Sequence, residues 1–329
     1  MKFRTEYIPG RSSLVLSPEM PVVLLGSCFA DNMAARMRSC LWNACNLLGT
    51  LYNPLSIEKA LRALLFSSHP GMEFYESLFQ AGGRYHSWLF DSRISAEKRD
   101  DCMAAFLERK ESLESLLGSA KAMFVTFGTS WCYYLADRKD YVVANCHKQP
   151  ASLFYRRRVS VEEIVERWVD IAMMLKDRYP HLEIVFTVSP VRHLKDGFSG
   201  NSHSKAVLLL ATEELCRRLD FCHYFPAYEI VNDDLRDYRF YASDLVHPSE
   251  EAVEYIWEIF RSTFVDSAGE MVLKEGEKIF KAWMHRPLPS STRCPSAESV
   301  EKEERRREEI RLRHAAFRAL HPGMLPIDG

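Results

Sequence analysis

The stretch that decides the fold is VVLLGSCFA, residues 22–30. Its aliphatic residues, between Pro21 and Gly26, leave no polar face. They read as a strand covered on both sides, which is the habit of parallel sheets. Helix formers dominate from Phe29 to Cys40, so the unit is strand, tight turn, helix. Gly26 allows the sharp turn. The turn presents a hydroxyl and a thiol side by side, Ser27 and Cys28. In open parallel sheets, ligands sit beyond the carboxyl ends of the strands, where helices also begin and expose unpaired N–H groups. A nucleophile on such a turn projects into the crevice, and its own amide lies near any oxyanion it creates. The plainer reading makes Ser27 a helix cap and Cys28 buried packing.

Working outward, the same grammar recurs. Ala122–Phe127 is a second buried strand, running into Gly128, Thr129 and Ser130. Residues 182–188 are a third, ending at Ser189-Pro190, and 221–225 a short fourth. Between them the spacing predicts helices over 57–66, 99–117, 161–178, 203–219, 228–236 and 248–264. Ser160 with Glu163 forms a capping box for the third, and Pro248 is read as opening the last. Residues 46–56 and 81–95 read as loops, with short β segments near 131–135 and 141–144. Strands alternating with helices predict an α/β fold with a mostly parallel sheet covered on both faces. A mixed α+β domain is the alternative.

This core reads as one catalytic domain over residues 1–265, with a linker and charged helical C-terminal extension over 266–329. The linker is RPLPSSTRCPS (286–296), and VEKEERRREEIRLR (300–313) follows. So dense a charge run is a solvated helix laced with i,i+4 pairs; a protein-binding arm is the alternative. Val300, Ile310, Phe317 and Leu320 are too sparse for a convincing apolar stripe.

Composition narrows the function classes. The chain has 329 residues, 47% of them hydrophobic, enough for a full core. A net charge of −2 offers no basic surplus for nucleic acid. No run of about eighteen apolar residues marks a membrane helix, and the N-terminus lacks the apolar core of a signal peptide. The nine cysteines include no CxxC pair, so they read as free thiols in a reducing, cytoplasmic setting with no metal site. No cofactor is expected.

A second constellation lies far downstream: Asp244-Leu245-Val246-His247-Pro248. A nucleophile needs a base, and the base needs an orienting partner. An Asp three residues before a His, in a loop entering a helix, can hold the imidazole Nδ1 and leave Nε2 for the nucleophile. The plainer reading is a capped turn with a surface histidine. Other residues at strand ends and loops are candidates for substrate contacts: His86 with Trp88, Asn145 with His147, and Arg192 with His193, the last pair suited to an anionic or polar group.

The motif Gly26-Ser27-Cys28-Phe29-Ala30 spells the name of the GSCFA family, which this sequence resembles. The resemblance continues through GTLYNPLSI (49–57), HSW (86–88), GTSW (128–131), VVANCHK (142–148), TVSPVRHLKDGF (187–198) and YFPAYEIVNDDLRDYRFYASDLVHPS (224–249), spanning roughly residues 20 to 262. The family is grouped with the SGNH (GDSL-like) hydrolases. That grouping implies a flavodoxin-like three-layer α/β/α sandwich and an esterase or deacylase acting on a small-molecule or carbohydrate acyl ester. It also implies Asp244 and His247 as the Asp-x-x-His block. The nucleophile falls on Ser27 if the hydroxyl is used, or on Cys28 if Gly-Asp-Ser is laid without a gap on residues 26–28. At a helix N-terminus near a histidine, Cys28 is expected to have a lowered thiol pKa. Oxyanion donors implied by the blocks lie near Gly49 and Gly128. The expected Asn after the second strand is absent, leaving Ser130, Thr129 or Asn53 to replace it. An acyltransferase and a non-catalytic binding protein are the competing functions.

Overall fold

Side-chain alternation along the buried strands builds three layers. In the computed structural model, which describes residues 4–285 and 297–327, the elements in order are β1 (Val22–Gly26), α1 (Cys28–Arg38), β2 (Ala44–Cys45), α2 (Pro54–Leu65), α3 (Pro70–Glu76), β3 (Leu78–Ala81), β4 (Arg84–Ser87), α4 (Arg99–Ser119) and β5 (Ala122–Phe127). Then come β6 (Trp131–Leu135), β7 (Val142–Val143), β8 (Phe154–Arg158), α5 (Val161–Arg178), β9 (Glu183–Val188), α6 (Gly197–Arg218), β10 (Cys222–Tyr224), α7 (Ala227–Glu229), α8 (Glu250–Phe264), α9 (Ser267–Met284) and α10 (Ala297–Leu320). Val23 and Leu25 point into a core shared with α2, α4, α5 and α6. Val22 and Leu24 point into a second core with α1 and α8, centred on Trp42, Trp257 and Phe260. Each fully buried large apolar side chain contributes roughly 1.5–3 kcal/mol relative to exposure.

The central sheet is parallel, with order β10-β9-β5-β1-β2. Counted by chain order this is 2-1-3-4-5, the flavodoxin-like winding, whose switch point lies between β1 and β5. The carboxyl ends of β1, β5 and β9 therefore open one crevice. Two small antiparallel sheets flank it, β3-β4 and β7-β6-β8.

Several boundaries differ from the sequence reading. Asn53 caps α2 through its side chain, so the helix starts at Pro54, not residue 57. α6 starts at Gly197 despite weak helix formers there, because tertiary packing overrides propensity. The helix read over 228–236 is one α turn followed by a π-helix, Ile230–Leu235, ended by Arg236 in the left-handed region. Ser249, not Pro248, caps α8, while Pro248 forms a bridge with Tyr241. The hairpin β3-β4 and strand β8 were not anticipated.

The region after residue 266 also packs. Leu273 of α9 enters the α1–α8 core, and Gly276 sits where a Cβ would collide with the Cys40 carbonyl. Ile310 and Phe317 of α10 bury against Leu41 and Ile279, whereas Val300 and Leu320 stay exposed. The proline-rich linker over 286–296 lies outside the described residues. Among the described residues, no helix is long and apolar enough to cross a membrane.

Candidate active site

The turn after β1 is built under constraint. Gly26 has φ +122°, and a Cβ there would collide with the Thr126 carbonyl oxygen of the neighbouring strand. Gly128, after β5, would place a Cβ 2.9 Å from the Tyr52 carbonyl oxygen and 3.3 Å from Ser27 Cβ. Two glycines thus let three chain segments converge on Ser27, which is 1% exposed. Its Oγ accepts the Phe29 N–H at 3.3 Å and caps α1. Cys28, the first residue of α1, is partly exposed and free.

Both residues line a cavity of about 400 Å³ at the carboxyl ends of the strands. Its floor comes from Asn53, Gly128, Thr129 and Ser189, and one wall from Asn145 and Cys146. The opposite wall follows the two-residue period of β6. Trp131 and Tyr133 face the cavity, while Cys132 and Tyr134 are buried behind them. Arg156 on β8, the register partner of Tyr133, completes that wall. Arg192, His193, Lys195 and Asp196 close the far side.

Electrostatics reverse one expectation. Burial, and then the Asp31 carboxylate, push the Cys28 thiol up. The helix-start amides and Lys205 pull it down by less. Cys28 is a protonated thiol at neutral pH, so it needs a base. Beneath the floor lies Lys205, fully buried on α6, whose Nζ donates to the carbonyls of Gly128 and Ser189 at 2.6 Å each. Burial lowers its pKa to about 7, opposed by Cys28.

Among the donors of the residues that line the cavity, two beside the turn have no acceptor among the described residues. One is the Cys28 amide, at the first position of a helix where no intrahelical partner exists. The other is Asn53 Nδ2. The Oδ1 of Asn53 is engaged by the Ser56 N–H at 2.8 Å and by Cys132 Sγ at 3.1 Å, which fixes the amide's orientation.

The Asp-x-x-His block forms its expected dyad: His247 Nδ1 donates to Asp244 Oδ2 at 2.6 Å. Asp244 Oδ1 accepts the N–H groups of Val246 and His247 at 2.9 and 3.0 Å. These bonds draw the Asp244 pKa down to about 2. The dyad's side chains are 49% and 43% exposed, and neither lines the cavity itself. Its loop joins the cavity rim through the Arg192 N–H, which donates to the Val246 carbonyl at 3.2 Å.

The remaining candidates divide. Asn145 lines the cavity, and its Oδ1 accepts the His147 N–H at 2.7 Å. Arg192 lines it with its guanidinium over Tyr241. Gly49 does not; it has φ +75° and packs against the Asp91 carboxylate, which accepts the Thr50 N–H. The Ser130 amide and hydroxyl are engaged with Ser204 Oγ, outside the cavity. His86 is turned to Ser95, 2.6 Å from its Oγ, and stacks on Phe79, also outside. The Gly128 amide donates to the Tyr52 carbonyl at 2.8 Å and is not free for an oxyanion.

The sequence reading missed Trp131, Tyr133, Arg156 and Lys205. Trp131 and Tyr133 had a signal in alternation along the β segment read over 131–135. Lys205 had one too: it lies on the helix face that carries Leu208, Ala211 and Leu215, where a charge is out of place.

Comparison with known proteins places the chain by family. The GSCFA family model matches residues 21–260. No protein of curated function matches it. A solved structure from Streptococcus pneumonia, described as "a putative platelet activating factor", aligns with a TM-score of 0.37 at 11% identity, over 74% of this chain and 83% of that one.

Proposed function

The chain belongs to the GSCFA family, and we propose that it is a hydrolase of the SGNH type that cleaves an acyl ester through a covalent intermediate on Cys28. One observation carries this reading: a cavity at the strand ends holds a thiol on a helix start and two unpaired donors, beside a loop that carries a hydrogen-bonded Asp–His dyad. Ser27 is the weaker nucleophile because its hydroxyl caps α1 in a buried turn.

In this mechanism His247 Nε2 takes the Cys28 proton as Sγ attacks the ester carbonyl, and Asp244 stabilises the imidazolium. The Cys28 amide and Asn53 Nδ2 hold the oxyanion; such donors contribute about a hundred- to a thousandfold each. His247 returns the proton to the leaving alkoxide, and a thioester remains. Water, deprotonated by His247, then releases the acid and restores the thiol. The exposed dyad reaches the cavity by movement of its loop, and substrate binding supplies the closure.

The test is hydrolysis of p-nitrophenyl esters by wild type, Cys28→Ala and Ser27→Ala. Cys28→Ala is expected to lose activity by roughly a thousandfold or more and Ser27→Ala to keep most of it. Equal nitrophenol release by wild type and Cys28→Ala would remove the mechanism.

A further inference from the structure

The cavity carries a charge surplus that ester cleavage as such does not use. Arg156, Arg192 and Lys195 line it against one carboxylate, Asp196, in a chain whose net charge is −2. Asp196 is engaged by Arg156, whose guanidinium also lies 4.6 Å over the Trp131 ring. Lys195 Nζ donates to the Tyr133 hydroxyl at 2.6 Å rather than to an acid.

Arg192 has no carboxylate partner among the described residues. Its guanidinium lies over Tyr241, 4.1 Å from the ring centroid, with Tyr238 at 5.1 Å. An arginine held over an aromatic ring in this way is already ordered, and its planar fork of donors can still meet a planar anion. Beside it, His193 Nε2 is enclosed with no partner. Burial, and then Lys205, lower the His193 pKa to about 4. The ring is therefore neutral at neutral pH and adds no charge of its own to the cavity. Aromatic walls of low dielectric focus the field of the surrounding cations into the cavity.

We propose that the ligand of this cavity is anionic: an acyl ester whose carboxylate or phosphate group is bound bidentately by Arg192, with Lys195 beside it. The inference deepens the acyl-ester reading and rests on it for the word ester only. Anion binding is measured without turnover.

Cys28 supplies the readout, because a ligand in the cavity shields it. The full-length protein is alkylated with iodoacetamide at mildly alkaline pH and constant ionic strength. Labelling of Cys28 is followed by peptide mass mapping against Cys216, which lies away from this cavity. The probes are benzoate, inorganic phosphate and neutral benzamide. Benzoate, phosphate or both are expected to slow Cys28 labelling while Cys216 is unaffected, and which of them acts identifies the anionic group. Benzamide is expected to leave the rate unchanged. Arg192→Gln should raise the anion concentration needed by roughly tenfold, the loss of one charge-assisted pair.

Lys195→Gln should raise it by less, and added salt should weaken protection in the wild type. Thermal unfolding confirms that each variant is folded; if Arg192→Gln is not, Lys195→Gln and the salt series decide. The proposal is overturned if neither anion protects, if benzamide protects as well as benzoate, if folded Arg192→Gln keeps full protection, or if protection ignores salt. A protein that shows anion protection but no esterase activity would lose the reaction and keep the ligand class.

Discussion

The two halves of the candidate site are held in different ways. The turn carrying Ser27 and Cys28 is fixed by the core: Gly26 and Gly128 admit neighbouring backbone where any side chain would collide, and Ser27 is buried. The loop carrying Asp244 and His247 is fixed by its own hydrogen bonds. Asp244 collects two backbone N–H groups and the imidazole, Leu245 takes φ +59°, and the side chains stand in solvent. The nucleophile half is preorganised and cannot move far. The dyad's loop is held mainly by its own turn and joins the rim through the Arg192 N–H to the Val246 carbonyl. In the proposed mechanism the loop, and not the strand end, is where the site would have to close.

The largest effect that would sharpen this contrast is chemical. Cys28→Ala should abolish ester hydrolysis by about a thousandfold or more while its melting temperature stays close to wild type, because the residue lies at the start of a helix and is partly exposed. Gly26→Ala should instead strike the fold. A positive-φ penalty added to a collision with Thr126 costs about 3 kcal/mol or more, read as a fall in the urea midpoint. An unchanged midpoint would show that the turn is not under core constraint.

Asp244→Asn tests the other half. The amide keeps an acceptor for the two N–H groups but cannot accept from His247 Nδ1. Turnover should drop about a hundredfold, with no loss of stability beyond about 0.5 kcal/mol. The pH response has a definite sign. The folded pKa of Asp244 lies below its unfolded value, so its contribution is present above the unfolded pKa and is lost only as pH falls through about 2. Activity lost at mildly acid pH therefore does not report protonation of Asp244 itself.

Lys205 tests the floor of the rigid half. Its folded pKa, about 7, lies below the unfolded lysine value, so between the two the unfolded chain binds a proton that the native protein does not. Stability should rise with pH in that window. Wild type should gain on the order of 2 kcal/mol over Lys205→Met between pH 7 and 9 in urea unfolding; a flat difference would mean that the buried amine is not titrating. Ser27→Ala is the smallest change. Losing the cap should cost about 1 kcal/mol and leave turnover within roughly tenfold, whereas loss of activity there would move the nucleophile to the hydroxyl.

The parallel-sheet fold was legible because its strands are short unbroken apolar runs ending in glycine or Ser-Pro. Ala122–Phe127 and the Ser160-capped helix over 161–178 coincide with β5 and α5. The antiparallel pieces were less legible. RYHS and FYRRR are half-exposed strands, and their alternation is blurred by arginines whose stems pack while their charges stay wet. The turn and the Asp–His dyad were legible because each is a local motif. The cavity walls were not, since Trp131, Arg156 and Lys205 meet only through packing of β6, β8 and α6. The thiol pKa was misread for the same reason: helix position is local and lowers it, whereas burial and Asp31 come from the tertiary structure and prevail.

In the proposed mechanism the rigid turn makes the covalent bond through its thiol. Wild type mixed with p-nitrophenyl acetate and quenched in acid within the first turnovers should gain one acetyl group by intact mass. Mapping should place that group on Cys28 as a hydroxylamine-labile thioester, and Asp244→Asn should acquire it more slowly. An acetyl group on Ser27, or steady ester hydrolysis with no acylated species in either protein, would contradict the account.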